Sequence, residues 1–310
     1  MSNSNKSKVH SEYIFRINKV LDYIEVNLGG DLSLDILADI SGFSKFHFHR
    51  IFKGIVKETL LSYINRIRLE RATSILLHNP SISITEIAMQ LGFSDSTVFA
   101  RNYKRHYGIS ASELRETYSK NCQVVSKIGK ANDKSSGYNE SISASKVNVV
   151  GNVEVRIIKE IKVIYLRHLG PYKELAVVFH KMMSKLMTWA KARGLLDSND
   201  FKLFSIYHDN PEFTAQENLK TSICLGVSED VKVEGEVGKM VIPSGKYAIG
   251  HFIIEPSEHS SAWDYIYGEW FPKSGFQPDE GYIFEMYLND PSTHPEKKSV
   301  LDIYLPVKPL

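Results

Sequence analysis

One acidic side chain stands out because its neighbours along a predicted strand are large and apolar. Glu285 lies within Tyr282–Leu288, between Phe284 and Met286. Alternation along a strand places Glu285 and Tyr287 on the same face. A carboxylate buried in such a place has a raised pKa unless a positive charge pairs with it. We therefore expect Glu285 to meet the cationic part of a ligand.

Aromatic rings could complete such a site, because a cation is attracted to the face of Tyr or Trp. Each of the candidate rings could instead belong to the core of the sheet and helices. The candidates are Tyr165, Tyr207, Tyr247, Trp263, Trp270 and Tyr287. The same acid could also act as a general base on a bound substrate, so ligand hydrolysis stays open as an alternative.

Other enzyme chemistry is hard to find in the sequence. The G-x-S-x-G, Walker A and G-x-G-x-x-G motifs are absent. His47 and His49 point in different directions on a helix and form a poor metal pair, and two cysteines in 310 residues make no disulfide framework. We expect no catalytic residues, no metal site and no cofactor.

A second chemistry is carried by basic and small polar side chains on two predicted helices near the N-terminus. Arginine can donate to both O6 and N7 of guanine, and lysine can contact phosphate. Such outward faces suit the major groove of double-stranded DNA. The expected DNA-binding residues are Lys45, Phe46, His49, Arg50 and Lys53 on the first helix and Ser96, Thr97, Val98, Arg101 and Lys104 on the second.

A repeated helix-turn-helix pattern positions both of these helices. The stretch Ala38–Ser44 returns fifty residues later as Ala88–Ser94, with the same alanine, glycine and phenylalanine spacing. Glycine suits the positive φ of a tight turn. Between the copies, Thr59–Leu77 predicts an amphipathic helix about 28 Å long, and successive major grooves lie about 34 Å apart. A monomer could therefore place both recognition helices on one face of DNA.

The second half of the chain has a different pattern. Short runs rich in Val, Ile, Tyr and Phe are interrupted by two helical stretches, roughly Tyr172–Arg193 and Ser257–Pro272. Ile206–Pro211 returns eighty residues later as Met286–Pro291. The fold class is therefore multidomain, with an all-α double helix-turn-helix domain followed by an α+β domain that contains a duplicated β-α-β-β unit.

Charge and composition support this division. Residues 1–120 carry 16 Lys and Arg against 12 Asp and Glu, whereas residues 151–310 carry 18 against 22. We expect a DNA-binding domain over residues 1–120, a Ser- and Lys-rich linker over 121–150 and a ligand-binding domain over 151–310. No apolar run is long enough for a membrane span and the N-terminus lacks a signal-peptide core, so we expect a cytoplasmic protein.

Residues 12–118 resemble the DNA-binding domain of the AraC/XylS family of transcription regulators. The resemblance implies base readout by both recognition helices, with RNA polymerase as a further partner. Lys57 departs from the glycine usual in that family, and Ala111 from a frequent proline. The matching motifs are Gly42-Phe43-Ser44, Arg50-x-Phe52-Lys53, Tyr63-Ile64-x-x-x-Arg68-x-x-x-Ala72, Ile87-Ala88-x-x-x-Gly92-Phe93, and Gly108 through Arg115.

Residues 153–310 resemble the GyrI-like effector-binding domain. The resemblance implies a central acid that meets bulky, aromatic and often cationic ligands, and some relatives resemble small-molecule hydrolases. A second domain that binds a protein is a third possibility. The matching motifs are Arg167-x-x-Gly170-Pro171-Tyr172, Tyr207-x-Asp209-x-Pro211, Trp270-Phe271-Pro272-x-Ser274-Gly275, Phe284-Glu285-x-Tyr287 and Asp302-Ile303-x-Leu305-Pro306. The sequence thus predicts a transcription regulator that senses a small-molecule effector.

Overall fold

The computed structural model describes residues 3–118, 152–196, 202–211 and 214–310. The chain forms two compact units, one of Lys19–Lys146 and one that joins Met1–Asn18 to Val147–Leu310. The predicted linker over residues 121–150 lies outside the described residues. The domain limits of 1–120 and 151–310 stay a prediction.

The first part of the chain is helical, as predicted. Short loops separate the helices. The helices are α1 (Asn3–Val26), α2 (Leu34–Ser41), α3 (Lys45–Val56), α4 (Leu60–His78), α5 (Ile84–Gln90), α6 (Ser96–Tyr107) and α7 (residues 111–118).

Two glycines make the turns between the paired helices. Gly42 after α2 and Gly92 after α5 have φ angles of 66° and 74°, a region that L side chains rarely adopt. A Cβ atom on Gly92 would also lie 2.6 Å from the guanidinium of Arg68. Arg68 donates from there to the carbonyls of Leu28 and Gly92, so it holds the turn rather than contacting solvent.

Buried aromatic residues of α3 and α6 pack against α4. Phe52 of α3 contacts Tyr63 of α4 edge to face, and the hydroxyl of Tyr103 on α6 lies 2.8 Å from that of Thr73 on α4. Arg66 of α4 pairs with Glu58 and Glu70 in the interior. These contacts bury one side of each recognition helix and leave the other side exposed.

The second part is built on an antiparallel sheet. Within the described residues its strands follow the order β1-β6-β9-β8-β3-β4-β2-β5, with β7 paired to β9. The strands are β1 (Val153–Ile158), β2 (Ile161–Leu169), β3 (Leu203–Tyr207), β4 (Lys220–Gly226), β5 (Gly238–Ile242), β6 (Gly245–Ile254), β7 (Phe276–Pro278), β8 (Ile283–Tyr287) and β9 (Ser299–Pro309).

The strand order is symmetric about the β3–β8 pair, as expected for a duplicated unit. Strands β2, β3 and β4 of the first repeat correspond to β6, β8 and β9 of the second. Each repeat also has a leading strand that sequence analysis did not assign to the unit. These leading strands are exchanged, because β1 pairs with β6 and β5 pairs with β2. The exchange joins the two repeats into one sheet.

Two helical segments lie on one face of this sheet. The first is α8 (Leu175–Lys191), and the second runs through α9 (His259–Asp264), a π-helix (Tyr265–Trp270) and α10 (Phe271–Ser274). The first segment falls inside the predicted stretch Tyr172–Arg193, and the second extends two residues beyond the predicted end at Pro272. The opposite face carries an apolar cluster formed by strand residues. Among the described residues, no helix combines the length and hydropathy needed to cross a membrane.

Candidate functional site

The recognition helix α3 exposes the face that sequence analysis assigned to DNA. It begins after Ser44, whose backbone is extended, and its last residue, Val56, is followed by Lys57, which has a φ of 68°. Phe48 and Phe52 are buried. Phe46 is 65% exposed, and the guanidinium of Arg50 lies 4.7 Å from the centre of its ring. All five predicted side chains of this helix, Lys45, Phe46, His49, Arg50 and Lys53, are exposed.

The corresponding helix α6 begins at an aspartate cap. Asp95 accepts hydrogen bonds from the backbone N–H groups of Thr97 and Val98. Phe99 and Tyr103 are buried. The exposed or half-buried side is formed by the predicted residues Ser96, Thr97, Val98, Arg101 and Lys104. The two helices therefore present similar mixed polar and basic faces.

Glu285 lies at the centre of the second part, in the middle strand β8. It pairs directly with Ser205 on β3 and with Ile303 on β9. Its side chain is only 1% exposed. Glu285 shares a face with Tyr287, as alternation predicts. That face carries the helices, whereas Phe284 and Met286 point into the apolar cluster of the opposite face. The acid is thus enclosed between the sheet and the helices.

The carboxylate of Glu285 accepts three hydrogen bonds. Trp263 Nε1 donates to Oε1 over 2.8 Å. The hydroxyls of Tyr207 and Tyr287 donate to Oε2 over 3.0 and 2.9 Å. Because the single hydroxyl hydrogen of Tyr287 is used in this way, the Ser205 hydroxyl, 3.0 Å from it, is the donor in that contact. The network joins β3, β8 and α9.

A histidine, which carries a positive charge when it is protonated, lies near this carboxylate. His259 Nδ1 lies 3.6 Å from Glu285 Oε1, and the histidine side chain is 30% exposed. Burial by itself lowers the pKa of His259, but the nearby Glu285 carboxylate outweighs burial and raises that pKa above its ordinary value. His259 stands at the start of α9, at the more accessible edge of the network.

The sequence predicts a raised pKa for Glu285 only if no positive charge pairs with it, and His259 can supply that charge. Burial alone raises the pKa of Glu285, but the interactions with His259, Trp263 and Tyr287 outweigh burial and lower it. Burial, followed by the charge of Glu285, raises the pKa of Tyr207 and Tyr287 well above 10. The site is therefore an ionised carboxylate surrounded by neutral hydroxyls, and not the unpaired acid that the sequence suggested.

The structure brings only some of the predicted aromatic rings to Glu285. Tyr207, Tyr287 and Trp263 contact it directly. Tyr165 and Tyr247 belong to the cluster on the opposite face of the sheet. Strand register decides which face a strand residue occupies. Residue identity alone does not indicate that register, so the prediction that both rings contact the ligand is not supported.

Trp270 also lies apart from the carboxylate network. Its ring stacks on Phe276 with 6.4 Å between ring centres, and it contacts Phe271. It packs with the apolar residues between the second helical segment and the sheet. The predicted ligand contact by Trp270 therefore has no support from this arrangement.

Four residues that surround the site were not predicted from the sequence. The ring of Tyr172 contacts that of Tyr207, and Phe179 contacts Tyr287. His259 and Ser205 complete the network. Phe179 and Trp263 occupy equivalent positions, eighty-four residues apart, and each contacts a tyrosine of the other repeat. The repeat offset from the predicted Trp263 could have identified Phe179, whereas nothing in the local pattern points to His259.

One further pair of positions differs between the repeats. His168 and Thr221 are paired across β2 and β4, as Phe252 and Leu301 are across β6 and β9. Phe252 and Leu301 are fully buried apolar residues. His168 Nε2 and Thr221 Oγ1 are buried atoms with no hydrogen-bond partner among the described residues. The first repeat therefore carries polar groups where the second has an apolar contact.

Metal chemistry finds no support in the described part of the chain. His, Cys, Asp and Glu form no cluster of three or more there that could hold an ion. His251, on the opposite face from Glu285, pairs with Asp302 over 2.7 Å. The candidate binding residues are those of the Glu285 network and of the exposed faces of α3 and α6.

Comparison with known families matches both parts. A family described as a GyrI-like small molecule binding domain matches residues 151–308. A family described as a helix-turn-helix domain matches residues 37–117. The first match covers about half of the chain and contains the whole Glu285 network, and the second contains both recognition helices.

Individual relatives match one part each. A DNA gyrase inhibitor of Yersinia enterocolitica is 31% identical over 133 residues, which are 42% of this chain and 81% of the relative. The transcriptional activator AarP of Providencia stuartii is 36% identical over 110 residues, 35% of this chain and 81% of the relative. A solved AraC-type regulator of Chromobacterium violaceum is 28% identical and covers 34% of this chain and 93% of its own, with a TM-score of 0.32.

Proposed function

Since the chain belongs to the GyrI-like family of small-molecule-binding domains and carries an AraC-type helix-turn-helix domain, we propose that this DNA-binding transcription regulator senses an aromatic or amphipathic cation. The observation that carries the proposal is the buried, ionised Glu285 beside Tyr207, Tyr287 and Trp263. An ionised carboxylate in a low-dielectric place attracts a cation strongly.

The aromatic rings around the acid support the class of ligand. Tyr207 contacts both Tyr172 and Trp263 edge to face, and Tyr267 stacks near Trp263. Tyr267 is 45% exposed, so aromatic surface extends from the buried acid towards solvent. Such surface binds flat apolar groups and adds cation–π attraction to a positive charge.

For the DNA-binding part we propose that α3 and α6 each enter a major groove. Arg50 and Arg101 are the proposed guanine-reading residues, and Val98 offers methyl groups to thymine. Lys45, Lys53 and Lys104 are proposed to contact phosphate. Lys45 also pairs with Asp35 over 2.6 Å, a pairing that it would exchange for a phosphate contact.

The partners follow from this assignment. Two recognition helices in one chain give a monomer two groove contacts, so dimerisation is not needed for DNA binding. A regulator that acts at a promoter has RNA polymerase as its natural protein partner. We propose both features as part of the function.

Ligand hydrolysis is the weaker candidate. A general base works best when its pKa lies near the operating pH, whereas the pKa of Glu285 is lowered by its partners. Its carboxylate oxygens are also engaged by hydrogen-bond donors. The same features suit electrostatic attraction of a cation.

A thermal-shift comparison of three compounds of similar size tests the proposed ligand class. The compounds are benzyltrimethylammonium, the neutral N,N-dimethylbenzamide and the anion benzoate. We expect the cation to stabilise the full-length protein most and benzoate not at all, because only bound ligands raise the melting temperature. Equal stabilisation by all three, or preference for benzoate, would overturn the proposal.

A further inference from the structure

Hydrogen bonds use three acceptor positions of the Glu285 carboxylate, and His259 lies beside the remaining one. Two carboxylate oxygens offer about four lone-pair positions. Trp263 and His259 lie at Oε1, and Tyr207 and Tyr287 lie at Oε2. A ligand cation can therefore reach this carboxylate closely only if one of the four partners gives way.

His259 is the partner that is held least tightly. Its nitrogen lies 3.6 Å from Oε1, whereas the other three donors lie 2.8 to 3.0 Å from the carboxylate. Its side chain is 30% exposed, in contrast to 1% for Glu285. His259 is the first residue of α9, where its side chain can turn towards solvent. Its counterpart in the first repeat is Leu175, so the imidazole is not required by the repeated fold.

Charge gives a second reason why His259 must yield. A protonated imidazole and a ligand cation would be like charges at one carboxylate, and each would disfavour the charged form of the other. Tyr207, Tyr287 and Trp263 are neutral donors and meet no such repulsion. Loss of the imidazole proton removes the repulsion and leaves the ligand as the counter-charge of Glu285.

We propose that His259 is the resident cation of this site and that a ligand cation takes its place beside Glu285, with release of one proton from His259 to solvent. This inference rests on the proposed sensing of cations. The charges balance, because one positive charge enters the site as one proton leaves. No covalent bond to the ligand forms or breaks.

The neighbouring groups leave His259 as the titrating partner near neutral pH. His259 faces Glu285, which in turn is contacted by Tyr287 on β8, Tyr207 on β3 and Trp263 on α9. The pKa of Glu285 is lowered and those of Tyr207 and Tyr287 are raised. Among these described residues, only the imidazole changes its charge between about pH 5 and 8.

The exchange selects among cations. A permanently charged group, such as a quaternary ammonium, keeps its charge at any pH and can replace the imidazolium. A weakly basic amine loses its own proton in the pH range in which His259 does, and it then gains little from Glu285. His259 therefore favours permanent cations and strong bases over weak bases.

Calorimetric titration of the full-length protein with benzyltrimethylammonium tests the exchange without any variant. Titrations at one pH in phosphate and in Tris, which differ in ionisation heat, count the protons released. We expect a release that approaches one proton in acid and falls towards zero at alkaline pH. Below the pKa of His259, affinity for benzyltrimethylammonium should fall about tenfold for each unit by which the pH is lowered.

Two variants assign the proton to a residue. In His259→Gln we expect no proton release, no dependence of affinity on pH between about 5 and 8, and tighter binding than in the wild type at the acidic end. His251→Gln is the matched control. It removes a histidine that also pairs with a carboxylate, Asp302, but on the opposite face of the sheet. It should release protons as the wild type does.

The outcomes separate this inference from the proposed function. If the cation binds with no proton release and His259→Gln binds it as the wild type does, the exchange is wrong and cation sensing stands. The exchange is also wrong if His259→Gln still releases the proton. If N,N-dimethylbenzamide binds and benzyltrimethylammonium does not, cation sensing itself is wrong, and the exchange fails with it.

Discussion

Glu285 and Ser205 face each other directly across the β3–β8 pair, at the centre of the duplicated sheet. The two positions are equivalent in the repeats, but only one carries a charge. Their side chains are linked through the Tyr287 hydroxyl, which accepts from Ser205 and donates to Glu285. A symmetric fold thereby holds a single negative charge at its centre, and that charge sets the chemistry of the site.

The pairing of Glu285 with His259 should make domain stability depend on pH in a defined window. The pKa of Glu285 is lowered on folding, so its contribution exists above the unfolded value of about 4.3 and is lost as pH falls through the folded value. The pKa of His259 is raised, so its contribution exists below the unfolded value of about 6.5 and is lost as pH rises through the folded value.

The difference in unfolding free energy between the wild type and His259→Gln should therefore be largest at about pH 5 to 6. Denaturant unfolding at several pH values measures this difference. A difference that grows from pH 6 to pH 9 would contradict the ion pair.

Much of this site could be predicted from the sequence, and the rest could not for physical reasons. The face and isolation of Glu285 follow from strand alternation and from the eighty-residue repeat. The sign of its pKa shift depends on Trp263 and His259. Both lie on α9, and the sequence of β8 does not show that this helix packs over Glu285. Tyr165 and Tyr247 lie on the other face of the sheet. Their face depends on strand register, which is set by long-range pairing and cannot be determined from the residues themselves.

Lys57 offers a test of the helical part. It ends α3 with a φ of 68°, and its ammonium donates to the carbonyl of Gly54 over 2.7 Å. Glycine has no steric cost in that conformation, whereas other residues lose about 1–2 kcal/mol. Lys57→Gly should raise the unfolding free energy of the helical part by about 1 kcal/mol, because the exposed lysine contact is weak.

Chemical denaturation followed by far-UV circular dichroism can measure this change. Gly42→Ala is the opposite substitution in a similar left-handed conformation, and it should destabilise the helical part. Destabilisation by Lys57→Gly would show that the contact with Gly54 outweighs the strain.

Two buried threonines should respond in opposite ways to the same change. Thr221 Oγ1 has no partner among the described residues, whereas Thr73 Oγ1 bonds to Leu69 and Tyr103. Valine keeps the shape and removes the hydroxyl. Thr221→Val should stabilise its domain by about 1 kcal/mol, and Thr73→Val should destabilise its domain by about 1–3 kcal/mol.

Differential scanning calorimetry of the full chain can compare these two variants. A loss of stability in Thr221→Val, of the size found for Thr73→Val, would show that the Thr221 hydroxyl has a partner. The second repeat carries Leu301 at the position of Thr221, so the fold itself accepts an apolar side chain there.

Arg50 and Arg101 should read different parts of the operator. Each stands on the exposed face of its own recognition helix. Arg50→Ala and Arg101→Ala should each relax selectivity by about 1–3 kcal/mol, at base pairs about one helical turn apart. Selection of binding sites from random DNA by each variant locates the affected positions. If both variants lose preference at the same base pairs, the two-groove arrangement is wrong.

The most direct test of the central claim compares cation binding by the wild type and Glu285→Gln. Glutamine keeps the side-chain shape and removes the negative charge. Calorimetry of both full-length proteins gives dissociation constants for benzyltrimethylammonium and for N,N-dimethylbenzamide. We expect the variant to lose about 1–3 kcal/mol of affinity for the cation and to bind the neutral amide as the wild type does. Equal cation affinity in the two proteins, with unchanged binding of the amide, would contradict the claim that Glu285 recognises the ligand's charge.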